Sequence, residues 1–262
     1  MELSLTLILA AAFGLAFGSF ATVLESRIPN GPAIWAGSSA CPNCSKPIKW
    51  RHNIPVLSYL VLRGRCAQCK SKIAFKYPLI EIGTASLFVA IVLVSGLSIQ
   101  SLAMAAFAVV TFPLLLIDLR LQRLPNKLTY SLMVVAAAIG VVQAVTIGNW
   151  GHFWAALMSG LIPFVAFFLL ALLSRGGMGL GDVKLAGGMG FTLGLVSWQT
   201  SFGAFVIAFL LGGCAAILLL VLRKAGRKHM IPFGPYLLLG AWISYLGGPT
   251  LQSALLSLWL RQ

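Results

Sequence analysis

Two residue sets in this 262-residue chain could do chemistry: a pair of aspartates and two pairs of cysteines. The chain holds only five acids, Glu2, Glu25, Glu81, Asp118 and Asp182. Asp118 stands in Leu116-Ile117-Asp118-Leu119-Arg120, just ahead of Leu124-Pro125-Asn126. Asp182 follows 64 residues later, in Gly177-Met178-Gly179-Leu180-Gly181-Asp182-Val183-Lys184. A carboxylate at the edge of an apolar run is costly, so it points to function. Two that face each other hold one proton between them, so that one can activate water while the other protonates a carbonyl oxygen. That is the chemistry of aspartic peptide hydrolysis. Gly179 and Gly181 lack side chains and would let an extended substrate backbone come close.

Plainer readings fit the same residues. Each Asp could cap a helix or pair with a nearby cation, or the two could line a proton or cation path. Asp182 suits the cap, being an acid at the start of its run; Asp118, at the end of one, does not. Lys184 is two residues from Asp182 and would point to another helix face, snorkelling toward the headgroups.

The cysteines form a second constellation. Cys41 and Cys44, then Cys66 and Cys69, make two Cys-x-x-Cys pairs with 21 residues between them. The halves are weak copies, Cys41-Pro-Asn-Cys44-Ser-Lys-Pro-Ile48 beside Cys66-Ala-Gln-Cys69-Lys-Ser-Lys-Ile73. Each pair can wrap a tight turn on one metal, and four thiolates complete a tetrahedral, structural Zn²⁺ site with no open position for water. Disulfides or a redox motif are the alternatives; a reducing compartment weighs against disulfides. Cys214 stands alone in an apolar run and reads as a small core residue.

The elements that must position these residues are apolar. The chain is 59% hydrophobic and 9% charged, with a mean hydropathy of +0.95. That excludes an ordinary soluble globule and a disordered chain. The uninterrupted runs are unlike the alternating segments of a transmembrane barrel. Helices are expected at 3–24, 79–96, 101–117, 128–147, 153–173, 183–197, 202–222 and 234–258. The sixth of these runs is Gly-rich, and the last contains Gly247, Gly248 and Pro249, where it could bend or split.

The net charge of +14 sorts with this pattern. Nine cations fall in 25–77, three in 118–127 (Arg120, Arg123, Lys127), two in 174–184 (Arg175, Lys184) and four in 223–231 (Arg223, Lys224, Arg227, Lys228). The alternate connections hold none, and only Arg261 remains, at the tail. Cations collect on cytoplasmic loops, so the pattern predicts eight spans with both termini outside and both aspartates at the cytoplasmic boundary. The charge is therefore topological, with no nucleic acid partner implied. The first run has no basic residue before it and is not a secretory signal peptide. The expected division is a first transmembrane helix at 1–24, a cytoplasmic four-cysteine zinc domain at 25–77 and a transmembrane domain at 78–262. The basic loop would face anionic lipid headgroups.

Taken in order, these segments resemble the type IV prepilin peptidase family, membrane aspartyl proteases with a Gly-x-Gly-Asp motif. The resemblance is carried by Gly18-Ser19-Phe20, the paired cysteines, Asn53-Ile54-Pro55-Val56-Leu57-Ser58-Tyr59-Leu60 and Leu62-Arg63-Gly64-Arg65-Cys66. It continues through Tyr77-Pro78-Leu79-Ile80-Glu81, the two Asp segments and Ile231-Pro232-Phe233-Gly234-Pro235. It implies Asp118 and Asp182 as the catalytic pair, with prepilins or pseudopilins as substrates. Their basic leader is cut after a Gly at the cytoplasmic face of the bacterial inner membrane. It also implies methylation of the new N-terminus with S-adenosylmethionine, an activity assigned to the cytoplasmic region, although no residue pattern marks a site for that donor. The chain departs from the family at Thr22, Glu25-Ser26, His52 and Gly176, and has Asn126 where members often carry a second acid.

The expected molecule is an all-α polytopic membrane protein of about eight transmembrane helices with a small zinc-binding domain. It is read as an aspartic endopeptidase. A peptidase without methyl transfer, a proton- or cation-coupled transporter, and a non-enzymatic assembly protein working through the zinc loop are the alternatives. The oligomeric state is not legible from the sequence.

Overall fold

In the computed structural model, residues 2–29, 37, 39–173, 178–222, 232–251, 253 and 255 are described. Expected features at Arg175, Gly176, Gly177, Arg223, Lys224, Arg227, Lys228, Ile231 and Arg261 lie outside them. Apolar runs become helices because a helix satisfies its own backbone hydrogen bonds. Those described are α1 (Glu2–Arg27), α2 (Leu57–Val61), α3 (Lys76–Ser95), α4 (Ile99–Leu121), α5 (Asn126–Ile147), α6 (Trp150–Leu173), α7 (Leu180–Gly194), α8 (Trp198–Val221) and α9 (Gly234–Leu246). Among the described residues there is no strand, only two isolated bridges, Ala40 with Pro47 and Arg65 with Lys72.

Six helices, α1, α3, α4, α5, α6 and α8, are long and apolar enough to cross a membrane. The chain is thus a multi-pass, all-α membrane protein. All eight expected runs are helical, with two differences, the end of the third run and an added short helix. The helix expected to stop at residue 117 continues to Leu121 and closes on Gln122 in the left-handed region, so Asp118 lies inside its last turn. The last run is interrupted at Gly247 and helical again over 248–251, the split that Gly247, Gly248 and Pro249 allowed. The short α2 was not anticipated, because its five residues carry no periodic signal.

The chain divides into two compact units. One contains the described residues up to Leu93 together with Ala108–Pro113; the other contains Val94–Phe107 and those from Leu114 onward.

In the first unit, α1 meets α3 through glycines four residues apart. A Cβ on Gly14 would lie 2.5 Å from the Ala85 Cα, and one on Gly18 would lie 2.7 Å from the Glu81 Cα. Small residues at this spacing let two helix backbones touch. At the same end, Lys76 Nζ donates to Glu25 Oε2 at 2.7 Å, with the Glu25 side chain almost fully buried.

The second unit is built around α7. This helix has only 15 residues, about 22 Å of rise, less than the roughly 30 Å of a hydrocarbon core. Its residues Val183 and Leu185–Gly194 are nevertheless buried, packed against α5, α6, α8 and α9. Glycine explains how it fits: a Cβ on Gly190 would lie 2.4 Å from the Ser159 carbonyl oxygen, and one on Gly194 would lie 2.9 Å from the Ala156 Cα. The Gly-rich composition that weakened the sequence signal is therefore what lets α6 and α7 touch. Gly190→Ala should destabilise the protein by about 1–3 kcal/mol, the usual cost of overpacking. Gly213→Ala, with nothing within 4 Å, should be neutral or stabilising. Thermal melting in lipid, monitored by circular dichroism, would separate the two.

Cys214, expected in the core, is instead exposed on α8. An apolar run in a membrane protein is apolar on its outer face too, so hydropathy alone does not locate the core.

Candidate active site

Asp118 enters the site from the last turn of α4 and Asp182 from the first turn of α7. The fold brings them together closely enough for their charges to act directly on each other. Asp118 is 3% exposed, and its Oδ2 has no hydrogen-bond partner among the described residues. The backbone of Gly234, at the start of α9, lies against the pair. A Cβ at position 234 would fall 2.5 Å from Asp118 Oδ2. Gly234 is held there by Phe233, whose ring packs on Phe167 and Phe209 with centroids 5.9 and 5.4 Å away.

Leu124 closes the arrangement. Its Cβ would be 3.0 Å from a Cβ on Gly181, and its Cδ1 would be 3.4 Å from one on Gly234. Three segments, 118–126, 179–182 and 233–235, thus meet over a buried leucine. Gly181 has a second reason to be glycine, since the Leu124 backbone lies against its Cβ position. Gly179 differs, being exposed, with only Asp182 Oδ2 at 3.7 Å and the Gly181 nitrogen at 3.9 Å near its Cβ position. The side of Asp182 next to Gly179 is thus uncovered. Lys184 does not simply extend toward the headgroups. Its Nζ donates to Asn126 Oδ1 at 2.9 Å and lies 5.5 Å from the centre of the Tyr130 ring, tying α7 to the start of α5.

The roles of Leu124 and Gly234 escaped the sequence reading. Both stood in recognised segments, but neither is polar or charged, and only proximity reveals what they do.

In the first unit, the cysteine loop folds as two matching turns. Ser45 N–H donates to the Cys41 carbonyl at 2.8 Å and Lys70 N–H to that of Cys66 at 3.1 Å. Both turns need a left-handed residue, and Ser45 and Lys70 supply it with φ of 55° and 59°. The internal repeat seen in the sequence is thus a structural repeat.

The four sulfurs of Cys41, Cys44, Cys66 and Cys69 all lie within 4.8 Å of one another. Cys41 Sγ and Cys69 Sγ are 3.9 Å apart, close to the roughly 3.8 Å edge of a tetrahedron with about 2.3 Å metal–sulfur bonds. The cluster could hold a metal ion. The Ser71 hydroxyl, 3.1 Å from Cys69 Sγ, stabilises the thiolate and brings that thiol down to about 6. Backbone N–H groups of Cys44 and Asn43 likewise lower Cys41. Cys69 is therefore poised as the anion a metal needs, whereas Cys44 is pushed up to about 11 and would give up its proton on binding.

Residues 12–95 match the bacterial peptidase A24 N-terminal domain, and residues 105–217 match the type IV leader peptidase family. Among curated proteins, the chain is 30% identical to the prepilin leader peptidase/N-methyltransferase of Bacillus subtilis (strain 168), over 92% of this chain and 94% of the relative. It is 35% identical to the protein of that name from Aeromonas hydrophila, over 81% and 72% of the two chains. For the one from Pseudomonas putida the identity is 29%, over 97% and 95%. No solved structure matches the chain at a significant level.

Proposed function

The chain belongs to the type IV leader peptidase family, and on that premise we propose that Asp118 and Asp182 cut the leader from type IV prepilins or pseudopilins. The protein is an enzyme, a prepilin leader peptidase with N-methyltransferase activity. The observation that carries the assignment of the aspartates is that α4 and α7 bring the two carboxylates into one place, beside Gly234 and Leu124, where their charges act on each other.

In this reading the two carboxyl groups hold one proton between them. The ionised one draws a proton from water, which attacks the scissile carbonyl. The protonated one donates to the carbonyl oxygen as the tetrahedral intermediate forms. Because the pair titrates as a unit, both assignments of the shared proton serve the same chemistry. The open side at Gly179 would receive the extended peptide, while Gly234 and Leu124 hold the carboxyls in place.

The cysteine cluster would hold a structural Zn²⁺, since four thiolates leave no position for water. The methyl donor, S-adenosylmethionine, needs a separate cavity. One of about 490 Å³ lies in the first unit, walled by α1, α3 and the cysteine loop. Its volume is within the range of small-ligand sites. Asn53, Tyr59 and Tyr77 on its wall would hold the nucleoside, and Arg27 and Lys72 would meet the carboxylate. S-adenosylmethionine supplies a sulfonium methyl group there.

The distribution of cations supports an inner-membrane location, with the cysteine loop and both aspartates at the cytoplasmic face. The same cations would engage anionic headgroups.

The test is mass spectrometry of a synthetic prepilin after incubation with the purified protein in lipid. Leader removal should occur without the donor, and the product should gain the mass of one methylene only with it. A substrate left intact would overturn the reading.

A further inference from the structure

Three segments that leader cleavage leaves unused meet on one carboxylate, that of Glu81. Glu81 is 8% exposed. Its Oε2 accepts the backbone N–H of Val56 at 2.7 Å, and Ser19 of α1 lies beside the same carboxylate. Gly18 is what allows α1 so close, because a Cβ there would lie 2.7 Å from the Glu81 Cα. Val56 has φ of 60°. A β-branched residue is rarely found in that region, and such strain collects where a site requires a particular backbone direction. The segments at Gly18-Ser19, at Asn53–Val56 and at Tyr77–Glu81 therefore build one feature, a buried carboxylate fastened from two sides.

Among the described residues, Glu81 is also the only acid lining the 490 Å³ cavity, whose wall includes Arg27, Lys46, Lys49 and Lys72. In a largely apolar cavity whose other charged side chains are cations, this one negative group is the place where a cation can dock and be oriented. The methylation reaction brings such a cation, the α-ammonium of the cut pilin.

We propose that Glu81 receives this α-ammonium in the first unit's cavity and takes its proton for methyl transfer. The proposal rests on the methyltransferase reading given above. The Glu81 carboxylate accepts one proton from the ammonium. The freed nitrogen lone pair forms the N–C bond as the C–S bond breaks, and that bond's electron pair stays on sulfur, which becomes a neutral thioether. The nitrogen ends as a secondary ammonium, and Glu81 returns its proton to water. A positioned base of this kind is worth about 10²- to 10⁴-fold in rate.

The experiment compares wild type, Glu81→Gln and Glu81→Asp in lipid with three readouts. These are leader cleavage, equilibrium binding of S-adenosylhomocysteine by calorimetry, and methylation of a synthetic peptide with the mature N-terminus. The Gln side chain can still accept the Val56 N–H. Glu81→Gln should therefore cleave and bind S-adenosylhomocysteine within about threefold of wild type, yet methylate at least about a hundredfold more slowly. Its affinity for the free-amine peptide should fall to that for the N-acetylated peptide. Glu81→Asp keeps the charge and should regain at least a tenth of the wild-type rate. Methylation retained in Glu81→Gln would overturn the proposal. Loss of S-adenosylhomocysteine binding would also overturn it by assigning Glu81 to the donor, as would loss of cleavage, by making Glu81 a structural fastener. Absence of cleavage in wild type would strike the peptidase reading instead.

Discussion

Asp118→Asn and Asp182→Asn are each expected to lower leader cleavage by about a thousandfold or more, while the protein should stay folded and melt no lower than wild type. The activity loss follows from the roles assigned: an amide at either position can neither take a proton from water nor give one to the carbonyl oxygen. The double variant is no worse than the more damaged single one, because groups that act as a unit are not additive. The stability expectation has the opposite sign. Asp118 is 3% exposed and its Oδ2 has no partner among the described residues. A carboxylate held this way is costly to the fold and is retained for function, so removing its charge relieves that cost. Gly234→Ala belongs to the same expectation, since its Cβ would press on Asp118 Oδ2 at 2.5 Å and displace a reacting group. Single-turnover cleavage rates together with thermal melts check both halves. Cleavage surviving in either Asn variant would remove the aspartic mechanism altogether.

The second large effect is metal removal. A strong chelator, or Cys41→Ser, should unfold the cysteine loop and abolish binding of S-adenosylhomocysteine, while total helix content barely changes. Structural zinc in small modules supplies about 10–16 kcal/mol of apparent binding free energy, which the loop has no other means to replace. Among the described residues, its regular structure is limited to α2, a three-residue turn of 3₁₀ helix and two isolated bridges. Cleavage should fall much less, because Asp118 and Asp182 belong to the other unit. Acidification should mimic the chelator. As the pH falls, protons compete with the metal for the four thiolates, so the loop should lose its metal in acid. Limited proteolysis of the loop and metal content by mass spectrometry provide the readouts. A loop equally resistant with and without metal would overturn the structural role of zinc.

Much of the fold was legible in advance because a membrane imposes a one-dimensional rule. Segments that must satisfy their backbones in hydrocarbon become helices, and their apolar runs show it. The repeated cysteine turns were legible for a similar reason, since Cys41–Ile48 and Cys66–Ile73 are local units whose hydrogen bonds close within a few residues. The positions of Asp118 and Asp182 at run boundaries belong to the same class, being set by the cost of charge in hydrocarbon.

What depends on contact across distant segments was decided only by the tertiary structure. Hydropathy does not distinguish an outward face from an inward one in a lipid-facing helix, so Cys214 read as core and lies exposed. Glycine has no side chain to declare its purpose. Gly190 could be known as a helix-contact residue, Gly181 as the seat of Leu124, and Gly234 as the neighbour of the Asp118 carboxylate only once their neighbours were in place. The meeting of Ser19, Val56 and Glu81 is of the same kind, because residues from three elements acquire a shared chemistry only through distance, and distance is a property of the packed chain.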